Sequence, residues 1–160
     1  MRTLLEFEAL NLVREALMAW AGTITIEVPG APVAKGRPRL TTRGGFARAY
    51  TPGKTQRYED LIRLAAGQAM AGRDILDGPL FVCVEAYVPI PKTLQTKPKL
   101  AAIEAGAIRP VTRPDLDNYI KVLDGLNGIV WRDDSQIVRL NSVKAYSERP
   151  RLVVSVEVAK

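Results

Sequence analysis

A chain of 160 residues, 47% hydrophobic and 25% charged, is long enough for one domain around a real hydrophobic core and is neither disordered nor membranous in composition. It carries a formal net charge of +6, no histidine and one cysteine, Cys83, which excludes disulfides, Cys/His zinc sites, Ser-His-Asp triads and any imidazole base. Chemistry is left to carboxylates, lysines, hydroxyls or a hard cation, magnesium or manganese, held by oxygen ligands. No apolar run approaches the ~18 residues of a membrane span, and Glu6, Glu8, Arg14 and Glu15 interrupt the N-terminal apolar residues, unlike a signal peptide. A cytoplasmic protein is expected.

Residues 3–20 space their apolar positions as a helix, stopped by Gly22. TITIEV (23–28) alternates like a strand and ends at Pro29-Gly30, and the basic KGRPRLTTRGGFARAY that follows reads as an irregular hairpin turning at Gly44-Gly45. Thr51-Pro52 offers an N-cap and a proline at the first helical position. That helix is expected to reach about Gly72 and to bury Tyr58, Leu61, Ile62, Ala65 and Met70. LFVCVEAYV (80–88) suits a central strand in which Cys83 is core and Glu85 the odd member, and a proline- and lysine-rich stretch with a short helix at 98–105 follows. A further helix is expected from Asp115 to Leu126, stopped by Asn127-Gly128, and then a hairpin of QIVRLNSVKAYS and RLVVSVEVA turning at Glu148–Pro150. The fold class is α/β (α+β): a single domain with a mixed β-sheet packed with helices. Its parts are an N-terminal helical extension, 1–22, and a main domain, 23–160.

Two charge patterns point to function. Between Val28 and Tyr58 stand Lys35, Arg37, Arg39, Arg43, Arg48, Lys54 and Arg57, interleaved with Phe46 and Tyr50 and with no acid among them. A one-signed stripe of this length is the footprint of phosphate neutralisation, and Lys35, Arg37, Arg39, Arg43 and Arg48, with Arg113, are the expected DNA contacts. The second pattern is RPDLDNYIKVLDGLNGIVWRDDSQI, 113–137, which crowds Asp115, Asp117, Asp124, Asp133 and Asp134 together. Like charges at close range repel, so something positive is expected among them. Asp115 and Asp117 open a helix, and one of them serves in part as its cap. Lys121 and Asp124, four and seven residues after Asp117, share its face on an unbroken α-helix. Asp133 and Asp134, at the start of the next strand, return toward the first turn. Three or four carboxylates and a lysine then converge, the composition of a site for divalent-metal phosphodiester hydrolysis.

The 113–137 block resembles the signature of the RusA-type Holliday junction resolvases, crossover-junction endodeoxyribonucleases common in prophages. TITIEVPGAPVAKGRPR is similar to that family's opening strand and basic segment, and YTPGKTQRYEDLI to its first helix. Spacing alone leaves Asp133 and Asp134 as alternatives. The resemblance implies that the essential metal-binding acids are Asp115, Asp117 and Asp134 and the catalytic lysine Lys121, with Asp124 and Asp133 of lower rank. It also implies a magnesium-dependent homodimer that binds four-way junction DNA and makes paired nicks; two-fold symmetry suits such a substrate. The helix at 3–20 departs from the family, whose members commonly begin near the strand at 23–28. The rival readings are a flap- or branch-specific phage nuclease of the same fold and a non-catalytic DNA-binding protein.

Overall fold

The computed structural model describes residues 22–36, 39–41, 48–50 and 52–159, with the backbone alone for 39–41 and 48–50. The expected helix at 3–20, and most of the extension 1–22 with it, lies outside the described residues. So do Arg37, Arg43 and the hairpin turn at Gly44-Gly45.

The main sheet has four strands in the order β1 (Ile24–Pro29), β6 (Arg151–Val158), β4 (Leu80–Pro89), β5 (Ile137–Ser147). β2 (Arg39–Thr41) and β3 (Arg48–Tyr50) form a separate antiparallel ribbon, as expected of the basic hairpin. The sheet is mixed: β6 runs antiparallel to both β1 and β4, whereas β5 runs parallel to β4. β4 is therefore an inner strand, in keeping with its apolar sequence. Leu80, Val82, Val84 and Ala86 alternate onto one face and are buried there with Ile24, Ile26, Val28, Leu152, Val154 and Val156. Glu85 points to the other face, where its Oε1 accepts a 2.7 Å bond from the Tyr87 hydroxyl.

The expected β5–β6 hairpin does not form. The short polar turn at 148–150 is present, but β4 lies between the two strands. Skipping one strand means crossing two strand spacings, roughly 10 Å, which three extended residues can span. The connection is tied to the end of β1: Gly30 N–H donates to Pro150 O (3.0 Å) and Arg149 to Glu27 Oε1 (2.9 Å). Burial decides the pairing, since the apolar β4 is better covered between two partners than at an edge.

Helix α1 (Gly53–Met70) packs on the apolar face through Thr55, Tyr58, Ile62, Ala66 and Met70, mostly an i, i+4 line. Leu61, expected inside, is one residue round the helix and 50% exposed, and Ala65 is only partly buried. Pro52 occupies the N-cap position, not the first helical one, and the helix stops at Met70 with Ala71 in a left-handed C-cap (φ 46°). α2 (Lys97–Glu104) is the short helix expected near 98–105.

The helix expected over 115–126 is divided. α3 covers only Leu116–Ile120, and Lys121–Leu126 tightens into a 3₁₀-helix. The tight segment buries Val122, Leu123, Gly125 and Leu126 against α1 and leads into the turn at Asn127-Gly128, where Gly128 takes φ 77°. That turn drops Trp131, the largest fully buried side chain among the described residues, into the core. Trp131 Nε1 donates to Asn127 Oδ1 at 2.6 Å, and Gly128 N–H to Trp131 O at 2.7 Å. Trp131→Ala is expected to lower stability by about 3–5 kcal/mol, the usual cost of an emptied aromatic site. Asn127→Ala should cost about 1–3 kcal/mol, because it leaves a buried indole N–H unpaired. Urea unfolding of the two variants beside the wild type measures both.

Candidate active site

Asp115 sits at the N-cap position of α3 with extended backbone (φ −72°, ψ 152°), yet its carboxylate makes no capping bond. The capping role that composition allowed it is unfilled. Asp117, in the first turn, is 2.7 Å from Lys121 Nζ, which also donates to Asn118 Oδ1 at 3.3 Å. The pair spans one helical turn and is open to solvent, with side-chain exposures of 55% for Lys121 and 59% for Asp117. The hydrogen bond from Lys121 holds the Asp117 carboxyl below its ordinary value, with desolvation opposing it.

Asp124 does not join this pair. Asp124 Oδ2 instead accepts from Lys35 Nζ at 2.5 Å, and Glu59 Oε1, buried and without a hydrogen bond, lies 3.6 Å from the same ammonium. The hydrogen bond to Asp124 is the main reason that the Lys35 pKa is raised, with burial opposing it. Lys35 also donates its backbone N–H to Asn118 O at 2.8 Å. The residue expected to contact phosphate thus ties the segment after β1 to α3, α1 and the 3₁₀-helix.

Asp133 and Asp134 precede β5 instead of starting it. Asp133 caps the 3₁₀-turn Asp134–Gln136, its side chain accepting from Ser135 N–H at 2.9 Å. The Ser135 side chain first, and then this backbone N–H, lower the Asp133 pKa. Gln136 completes a capping box by accepting from the N–H groups of Arg132 (2.8 Å) and Asp133 (3.2 Å). Its amide nitrogen donates to Leu76 O and Gly78 O at 3.2 and 3.0 Å. Asp133 is therefore occupied locally, while Asp134, exposed beside it, has no side-chain partner among the described residues.

Lys144, in β5, holds the loop ahead of Asp115: its Nζ donates to Thr112 O and Pro114 O, each at 2.9 Å. Arg113 in that loop is exposed. Arg39 and Arg48 lie on β2 and β3, in register with Tyr50 and Thr41. Gln136, Lys144, Asn118 and Glu59 carry positioning roles that the sequence reading missed. Only Gln136 left a local signal, the D-x-x-Q spacing of a capping box.

The oxygen donors of Asp115, Asp117 and Asp134 are of the chemical kind that hard cations take. Among the described residues, however, no three acidic side chains are gathered closely enough to hold a metal ion. The expected convergence of three or four carboxylates is not seen among the described residues, which show an Asp117–Lys121 pair and, apart from it, Asp115 and Asp134 with no partner among them.

A family model described as endodeoxyribonuclease RusA matches residues 29–157. The chain belongs to the RusA endodeoxyribonuclease family. That match spans every site residue considered above. The chain is also similar to the uncharacterized protein YqaN of Bacillus subtilis (strain 168), 41% identical over 135 residues, which cover 83% of this chain and 94% of YqaN. Membership of the RusA family makes the molecule a nuclease, and the mixed sheet with its helices is the corresponding α+β domain. No helix among the described residues is long and apolar enough to cross a membrane.

Gln136→Ala removes four bonds that fix the approach to β5, and a stability loss of about 1–3 kcal/mol is expected in urea unfolding. An unchanged midpoint would show that the Asp133–Gln136 turn is held by other contacts.

Proposed function

We propose that this protein is a structure-specific endodeoxyribonuclease that cuts four-way DNA junctions by paired nicks, acting as a homodimer with magnesium. The observation that carries the reading is the RusA family match over 29–157. Its span includes an exposed acid–lysine pair, Asp117–Lys121, and two further carboxylates, Asp115 and Asp134, that have no partner among the described residues. Asp115, Asp117 and Asp134 are the residues that would hold the cation, which when bound supplies a Lewis acid and lowers the pKa of water. Lys121, 2.7 Å from Asp117, would offset negative charge developing on the phosphoryl group. Arg37, Arg39, Arg43, Arg48 and Arg113 position the DNA through its phosphates. Lys35 is left out of that set because its ammonium is engaged by Asp124 and Glu59. A two-fold junction presents two equivalent strands, and a two-fold dimer presents two equivalent sites.

The test is incubation with synthetic four-way, flap and linear duplex DNA, with and without magnesium. Symmetric nicks in the four-way junction that require the metal are expected. Preferential flap cutting would make the protein a branch nuclease of the same fold, and no cutting at all would reduce it to a DNA-binding protein. Asp115→Asn, Asp117→Asn and Asp134→Asn should each abolish cleavage while junction binding is kept. Asp133→Asn should keep activity. Lys121→Ala should lower turnover about 100-fold or more; a small effect would mean that the exposed pair, worth at most about 1 kcal/mol, is only structural.

Salt dependence separates phosphate contacts from internal ion pairs. Each phosphate neutralised on duplex DNA contributes a slope of about −0.9 in log K against log salt. The Arg37→Ala, Arg39→Ala double variant should flatten the slope by up to ~2 and weaken binding to any sequence. Lys35→Ala should leave the slope as it was. A flattened slope for Lys35→Ala would return that residue to the DNA surface.

A further inference from the structure

A cavity lies between α2 and the C-terminal half of β5, apart from the acidic residues but joined to their loop. We propose that it receives an unpaired nucleobase of the bound DNA. The inference rests on the junction-nuclease reading and names a second contact for the same substrate. The cavity encloses about 590 Å³, within the range of pockets that bury a small ligand. Leu100 and Ile103 of α2 line it on one side, Tyr87 and Tyr146 of the sheet on the other, and Arg109 and Lys144 add cationic groups.

Three features favour a base over another occupant. α2 fully buries none of its side chains although Leu100 and Ile103 are apolar, so its lining is not consumed by the core. A base has two apolar faces that stack on tyrosine and aliphatic walls, a polar edge, and a tethered phosphate for a guanidinium. Lastly, Lys144 lines the cavity while its Nζ holds the carbonyls of Thr112 and Pro114, both at 2.9 Å. The cavity wall is therefore continuous with the loop that delivers Asp115. A base displaced from its stack beside the scissile phosphate would be held where the cut is made. Extrusion costs least where pairing is already interrupted, as it is at a crossover.

Photo-cross-linking with 5-iododeoxyuridine tests the assignment. The halogenated base is placed at each position flanking the crossover of a four-way junction, and the Asp117→Asn variant keeps the DNA whole. Cleavage by the wild-type protein is measured in parallel. The expected result is a cross-link from one or two positions to Tyr146 or Tyr87, mapped by peptide mass spectrometry. Ile103→Trp, on a half-exposed helix face, fills the cavity. It should remove the cross-link and weaken junction binding about tenfold, the scale of one lost base stack, with linear duplex binding and thermal melting unchanged. Suppose the wild-type protein cuts the junction but cross-links fall elsewhere or nowhere. The cavity assignment is then overturned and the nuclease reading stands. A protein that neither binds nor cuts the junction overturns the nuclease reading, and the cavity assignment with it.

Discussion

β4 is hydrogen-bonded along both edges, antiparallel to β6 and parallel to β5. The parallel pairing constrains the rest of the molecule. A strand cannot be followed directly by a parallel neighbour; the chain has to return along the length of the sheet before β5 can begin. That return, 90–136, carries α2, α3 and the whole acidic cluster. The candidate site is thus built on a connection that the sheet topology forces to be long, as it also does the one from β1 to β4, which carries the basic ribbon and α1.

A long connection loses more entropy on closure and is held by few contacts of its own. Here it is pinned at separated points, each by a different interaction. Trp131 anchors it in the core, Gln136 ties it to the carbonyls of Leu76 and Gly78, and Lys144 holds the carbonyls before Asp115. The backbone of Lys35 supplies another tie, to Asn118. The acids themselves hold little of the fold: Asp115 and Asp134 bond to nothing described, and the Asp117 pair is exposed. Positioning and chemistry therefore fall to different residues, and that separation makes the acid-to-amide substitutions readable as chemical tests.

The sequence disclosed what depends on local period and composition. TITIEV was legible as a strand by its alternation, and LFVCVEAYV by its apolar run, which suits an inner strand. The 113–137 block stood out as a candidate site by its density of carboxylates, although Asp133 caps a turn and Asp124 holds Lys35. Pairing was not legible: the turn at Glu148–Pro150 reads as a hairpin, and only the burial of β4 on both sides separates β5 from β6. Nor was the partner of Lys35, since Asp124 is 89 residues away and meets it only in the folded chain. Leu61 failed for a smaller reason: a helix stripe drawn one residue too wide takes in a position that faces water. The N-terminal stretch 3–20 falls outside the described residues.

Charge placement bears on how such a site meets DNA. Five aspartates in one block would repel a phosphate backbone, and the basic stripe does not cancel that repulsion at the distance of contact, because solvent screens over roughly 8–10 Å. Local partners reduce it instead. Lys35 takes Asp124, Lys121 takes Asp117, and the amide of Ser135 takes Asp133. What remains is Asp115 and Asp134, two carboxylates with no cation supplied by the described residues. On the proposed reading these two carry the unmet demand for positive charge. Lys121 differs from Lys35 in the one respect that matters for chemistry. Lys35 is 28% exposed and held between two acids, whereas Lys121 is 55% exposed and shares a single carboxylate. A lysine that can leave its partner at small cost is free to follow charge as it develops on a substrate; a lysine clamped between two acids stays where the fold needs it.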